Sequence, residues 1–265
     1  MNEPQKLPVE TDEWTALKAF TEARIALGKT GVSVPVRASL AFRLAHAHAK
    51  DAVYSALDTD ALMQALAPLE LPVYWLQSRA EHRDMYLQRP DYGRQLAPQS
   101  AEALREIAAQ PADVAIVVAD GLSATAVNLY AGTVVQGLVQ ASRDQGFTLA
   151  PLTLVEQGRV AIGDEIGHLL NARMVVMLIG ERPGLSSADS LGAYLTFAPA
   201  PGLTDERRNC ISNIRQQGLP PAMAVEKIMY LVSEAFRLKL TGVALKDTTD
   251  TPPILPAGPD AGQLS

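Results

Sequence analysis

A chain of 265 residues with 48% apolar and 20% charged side chains can bury a sizeable core, which excludes global disorder and leaves one large unit or two unequal ones. A formal charge of -6 and a pI near 5.3 exclude the neutralising of nucleic-acid phosphates as its main business. A single cysteine, Cys210, excludes an intramolecular disulfide and fits a reducing cytoplasm, and no run reaches the roughly 20 apolar residues of a membrane span, so a soluble protein is expected.

Residues 1–12 are polar with two prolines and read as a flexible arm. From Glu13 to Ala26, Trp14, Leu17, Phe20 and Ile25 approximate helical spacing until GKTGVSVP breaks it. Helices are predicted over Arg37 to Tyr54, with Leu40, Leu44 and Ala47 on one stripe, and over Thr59 to Ala67. LPVYWLQS is a short strand, and the arginine-bearing SRAEHRDMYLQRPDYGRQL is loop with helical turns. Residues 13–100 are thus expected to form a smaller, mainly helical domain.

A second pattern follows. After a helix from Ala101 to Ala109, strands Val114 to Ala119, Thr148 to Val155, Arg173 to Ile179 and Ala193 to Phe197 alternate with helices Ser123 to Asp144, Asp164 to Asn171 and Pro221 to Leu240. Residues 101–246 therefore predict an α/β domain with a doubly wound, mostly parallel, Rossmann-like sheet, and residues 247–265 a flexible tail.

Ligands of such sheets bind outside the carboxyl ends of the strands. Three segments fall there. In VVADGLSATAVN, Asp120 ends a strand, Gly121 permits the turn and Ser123 is placed to cap the next helix. In VVMLIGERPGLSSADS, a buried strand releases into Gly180, Glu181, Arg182, Pro183 and Gly184, which also suits a plain surface turn. RRNCISNIRQQGLPP offers neutral hydrogen-bonding side chains from Asn209 to Gln217, better suited to an amide-bearing ligand than to a phosphate, while Cys210 alone reads as a small buried hydrophobe. His46 and His48 face apart on a helix, His82 and His168 lack partners at ligand spacing, and dinucleotide and triphosphate fingerprints are missing.

Taken together, RIALGKTG, SRAEHRDMYLQRPDYGRQL, VVADGLS, QGRVAIGDEIG, VVMLIGERPGL and CISNIRQQGLPP resemble the run of motifs in the ethanolamine ammonia-lyase small subunit, from about Arg24 to Ala244 and in that family's order. The resemblance implies a cobalamin-binding-like sheet facing the cofactor, preceded by a helical domain, and an obligate large-subunit partner whose TIM barrel holds the substrate, in a hetero-oligomer that engages neither nucleic acid nor membrane. It implies adenosylcobalamin as cofactor and a radical conversion of ethanolamine to acetaldehyde and ammonia, started by homolysis of the cobalt-carbon bond.

By the same resemblance, Val160 in QGRV, Glu181 in GERPG and Cys210 in CISNI are the expected cofactor-binding residues, none of them a catalyst. Each is expected on a strand end or loop. The string D-x-H-x-x-G, with which many cobalamin proteins replace the cofactor's own base, is missing, so base-on cobalamin is expected. Some family members carry a longer amino-terminal extension that directs them into a protein-shelled microcompartment; the short stretch before Arg24 favours a cytoplasmic enzyme and leaves encapsulation open. Two other readings compete: a self-sufficient enzyme using Asp120, Ser123 and Glu181, and a docking scaffold presenting Arg79, Arg83, Arg89 and Arg94.

Overall fold

The computed structural model describes residues 9–107 and 110–247, so most of the expected arm and tail, and the end of the helix expected to reach Ala109, lie outside the described residues. The amino-terminal segment departs from expectation at once. Glu13–Ala19 is a 3-10 helix, capped by Asp12, whose carboxylate accepts the Trp14 N–H at 2.9 Å, and none of its residues is buried. Helical spacing alone does not sustain an α-helix when its apolar stripe has nothing to pack on.

Helix α1 (Val36–Val53) follows Pro35 and buries only Ala52, and α2 (Thr59–Leu66) is capped by Asp58, which accepts the Ala61 N–H at 3.0 Å. Strand β1 (Val73–Gln77) leads through the short α3 (Arg83–Gln88) to α4 (Pro98–Glu106), which begins on a proline whose missing N–H costs nothing there. Then come β2 (Ala112–Ala119), α5 (Ala124–Asp144), β3 (Leu152–Glu156), α6 (Ile162–Leu169), β4 (Ala172–Gly180), β5 (Leu191–Phe197), β6 (Arg208–Ile214) and α7 (Pro221–Leu238).

These strands build one six-stranded mixed sheet, in the order β1-β3-β2-β4-β5-β6, in an α/β fold. Strand β1, from the first third of the chain, is thus part of the same sheet as the rest. The first four strands run parallel, and Val114 to Ala119 and Met174 to Ile179 read as near-continuous apolar runs because both faces are covered. One face packs on α2, α5 and α7 through Ile116, Val118, Val176 and Leu178, and the other on α4 and α6 through Ala115, Val117, Val175 and Met177.

The parallel expectation ends at β4. Strand β5 pairs antiparallel with β4, and β6 antiparallel with β5. The RNCISNI segment, expected as loop, is therefore a strand, and Cys210 lies within it rather than at its end. Its polarity has a physical cause. Ile211 and Ile214 face the α5/α7 core, whereas among the described residues a helix meets the other face only at its start, where Arg208 pairs with Asp164 of α6, and a register shift between Leu191 and Ala193 spoils the strict alternation and leaves Asn213 at φ +61°.

Candidate functional site

The turns that follow β2, β3 and β4 converge at one end of the sheet. Strand β2 is followed by a helix on one face and its neighbour β3 by a helix on the other, so the crevice opens between them. The β2 turn is held tightly. Gly121 has φ +59°, and a Cβ there would stand 2.2 Å from the Gly180 carbonyl, which accepts the Leu122 N–H at 2.9 Å. Gly180 is equally constrained, since a Cβ on it would meet the Ser123 carbonyl at 2.0 Å. Ser123 stands at the helix-capping position in extended conformation, but its hydroxyl donates to the Ala188 carbonyl at 2.9 Å and does not cap α5. It therefore ties the turn to the loop between β4 and β5.

Asp120 is only 5% exposed and accepts the Gly158 N–H at 3.1 Å. Burial pushes its carboxyl up to about 6, against backbone donors and the Arg83 guanidinium 3.6 Å away, which hold it down. Arg83, expected on an exposed docking surface, is instead largely buried. Its Nε donates to the Val53 carbonyl at 2.6 Å and its Nη1 to the Gly121 carbonyl at 2.8 Å and Gln157 Oε1 at 3.1 Å. Arg83 thus joins the end of α1 to the turns after β2 and β3. Arg79, Arg89 and Arg94 are exposed as expected, and Arg79 and Arg89 lie over the Tyr92 ring.

The cleft beside these turns has adjoining lobes. One of about 410 Å³ is bordered by Tyr86, Arg159, Val160, Gly180, Glu181 and Tyr194. A second of about 280 Å³ shares Arg159, Val160 and Tyr194 and adds Arg94, Arg208 and Cys210. A third of about 680 Å³ continues past Arg94, Ala161 and Asp205 toward Leu203. The middle lobe lies on the uncovered face of β5 and β6, where Tyr194 and Cys210 are paired in register.

Val160, Glu181 and Cys210 are therefore brought to one continuous cleft, Val160 at the junction of two lobes. Glu181 Oε2 accepts the Ser190 hydroxyl and, at 3.1 Å, the Asn213 N–H, so this side chain fastens the β4–β5 loop to the bulge of β6; Oε1 accepts no bond among the described residues. Cys210 is exposed on the open face, contrary to the buried hydrophobe a lone cysteine suggests, and desolvation beside Tyr194 pushes its thiol up while hydrogen bonding to Tyr194 opposes this. Burial, with the Cys210 thiol next to it, likewise raises the Tyr194 phenol.

The neutral side chains expected to meet a ligand are partly spent elsewhere. Asn209 points to the covered side, donating to the Gly242 and Leu245 carbonyls, and the Asn213 side chain accepts from Arg215 Nε. Conversely, Tyr86, Arg159, Tyr194 and Arg208 were not legible as cleft residues. Only the Gly158-Arg159-Val160 exit from a strand could have pointed to one of them. Tyr86 is fully buried, donates to the Gly158 carbonyl at 3.3 Å, and is stacked by Arg83 and Arg159. Arg208 forms a buried ion pair with Asp164 and bonds Asp205 at 2.7 Å, joining β6 to α6.

Among the described residues, no His, Cys, Asp and Glu cluster could hold a metal ion, and no helix is long and apolar enough to cross a membrane. His82 caps α3 through the Met85 N–H, and no histidine borders the cleft lobes named above.

The chain is similar to proteins named ethanolamine ammonia-lyase small subunit: 53% identical to that of Ralstonia nicotianae over 94% of this chain and 93% of the relative, 54% to that of Xanthomonas campestris over 91% and 90%, and 52% to that of Azotobacter vinelandii over 97% and 96%. Residues 11–246 match the family described as ethanolamine ammonia-lyase light chain (EutC), a span that includes every turn of the cleft, and the chain belongs to that family.

Proposed function

We propose that this chain is the small subunit of an adenosylcobalamin-dependent ethanolamine ammonia-lyase, which converts ethanolamine to acetaldehyde and ammonia, and that it supplies part of the cofactor site while a large subunit with a TIM barrel holds the substrate. One observation carries the reading: Val160, Glu181 and Cys210, far apart in sequence, border one cleft at the carboxyl ends of the parallel strands. The cleft also suits a large ligand edged with amides. It offers Glu181 Oε1 as an acceptor, the Tyr194 hydroxyl as donor or acceptor, and the apolar side of Val160 as a packing surface. The Arg159 Nε, buried without a partner among the described residues, is an unsatisfied polar atom of a side chain that borders it.

When bound, adenosylcobalamin supplies the cobalt-carbon bond whose homolysis starts the radical chemistry. The residues of this chain bind and orient. Glu181 is itself held by Ser190 and Asn213, so its free oxygen has a fixed direction, and Tyr194 is held between β4 and β6. In this reading the cofactor would be bound base-on, in keeping with the missing D-x-H-x-x-G string.

A partner is supported by the amino-terminal part of the chain. Most of the large apolar side chains left exposed, among them Trp14, Phe20, Val36, Leu40, Phe42 and Leu44, fall on residues 9–54. Contiguous exposed apolar surface marks an interaction site. This observation also favours a pure docking scaffold, and one experiment separates the two. Ammonia release from ethanolamine with adenosylcobalamin is measured for this chain, a matching large subunit, and both together. Activity only in the mixture is expected; equal activity with the large subunit alone would make this chain a scaffold.

A further inference from the structure

The arginines at the cleft differ in what they are paired with. Arg208 is buried and committed to Asp164 and Asp205. Arg94 and Arg159 have no carboxylate partner within 4.0 Å among the described residues. They reach the same lobe from adjoining backbones, because the Arg159 N–H donates to the Gly93 carbonyl at 2.7 Å and the Arg159 stem occupies the space a Cβ on Gly93 would need. Arg159 is fixed by its position 4.2 Å over the Tyr86 ring and by a 3.1 Å bond from Nη2 to the Tyr86 carbonyl.

The same lobe receives the start of α6. The N–H groups of Ile162, Gly163 and Asp164 are taken by the carbonyls of Arg159, Val160 and Ala161, whereas those of Val160 and Ala161 have no backbone acceptor among the described residues. Two unneutralised guanidinium groups and unpaired backbone donors at a helix start make a receptor for one compact anion. Arg208 borders the same lobe, and its buried Nε is a further donor without a partner among the described residues. The neighbouring lobe, with Glu181 and Tyr194, is the one suited to neutral amides.

We propose that the middle lobe binds the phosphodiester of the cofactor's nucleotide tail, with Arg94 and Arg159 as its charge partners and the first turn of α6 as backbone donor. This rests on the cofactor reading above and adds which part of the corrinoid meets which residues. A corrin ring edged with amides needs no cation, but a phosphodiester does. Arg94 and Arg159 therefore distinguish complete corrinoids from those without the nucleotide.

The test uses the assembled complex of this chain with its large subunit and equilibrium binding, followed by absorbance, of cyanocobalamin and of cobinamide, which lacks the nucleotide and its phosphodiester. Arg94→Gln is expected to weaken cyanocobalamin binding about 10- to 100-fold, the loss of one charge-assisted contact, and to leave cobinamide binding unchanged, while Arg159→Met, whose side chain also borders the amide lobe, is expected to weaken cyanocobalamin binding by more than it weakens cobinamide binding. Arg94 is exposed, so its variant reports on binding even if Arg159→Met folds poorly. Equal losses for both corrinoids, or no loss for either, overturn this inference alone. A parent complex that binds cyanocobalamin no better than cobinamide also overturns it alone, whereas a parent complex that binds neither overturns the cofactor reading and this inference with it.

Discussion

The parallel and antiparallel parts of the sheet solve the same problem differently. Strands β2, β3 and β4 are covered on both faces, and their apolar runs are spent on the two layers of the core. Strands β5 and β6 are covered fully on one face only; the other is met by α6 at Arg208 and beyond that carries Tyr194 and Cys210 into the cleft. The parallel half thus supplies stability and the converging turns, while the added hairpin supplies an open wall next to them. A site built this way needs little of its own hydrophobic core, but it depends on whatever pins the hairpin to the parallel half.

The buried Asp164–Arg208 pair is one such pin, since it joins α6 to β6. Arg208→Gln leaves the Asp164 carboxylate buried and unpaired, and is expected to cost about 3–5 kcal/mol in urea unfolding. The double change Asp164→Leu with Arg208→Met is expected to recover most of that loss while widening the middle lobe. If the single change is silent, the hairpin is held by its strand pairing alone.

Asp120 makes the opposite contrast, a buried acid inside the parallel half. Its carboxyl rises from 3.8 to about 6 on folding, so the native state holds the proton more tightly than the unfolded chain. Relative to Asp120→Asn, the parent therefore loses stability as the pH rises from about 4 to about 6, by up to roughly 3 kcal/mol, and the difference is flat above that window. Melting of the two proteins across this range checks both sign and window. A constant difference would mean that Arg83 and the Gly158 N–H neutralise the cost of burial. Gly180→Ala, which presses a Cβ to within 2.5 Å of the Asp120 carbonyl, is expected to cost about 1–3 kcal/mol and to disturb the Glu181 side of the cleft before the Cys210 side.

The same division explains what the sequence made legible. Elements buried on both faces, such as β2, β4 and α5, announce themselves through long apolar runs and helical periods, and their observed limits fall within a few residues of expectation. Strand β6 was hidden, because half of its side chains face open space and a bulge breaks its alternation. The amino-terminal stripe misled in the reverse sense, showing helical spacing where the chain has no core to pack on. At the site, the strand-end turn carrying Glu181 was legible from topology, and Val160 and Cys210 through family likeness. Tyr86 and Arg159 were not, because a tyrosine in an arginine-rich loop looks alike whether it is buried or solvated.

The smallest effect tests the hairpin's contribution most directly. Glu181 both braces the hairpin, through Ser190 and Asn213, and borders the cleft. In the assembled complex, Glu181→Ala is expected to weaken cobalamin binding about tenfold, the worth of one hydrogen bond to a charged group, with a modest fall in melting temperature. Ser190→Ala removes part of the brace and keeps the carboxylate. It is expected to lower the melting temperature comparably but to change binding less. If the two variants lose binding equally, Glu181 acts only by holding β5 and β6 in place. If Glu181→Ala alone loses it, the carboxylate itself meets the ligand, and the open wall is a recognition surface rather than a boundary.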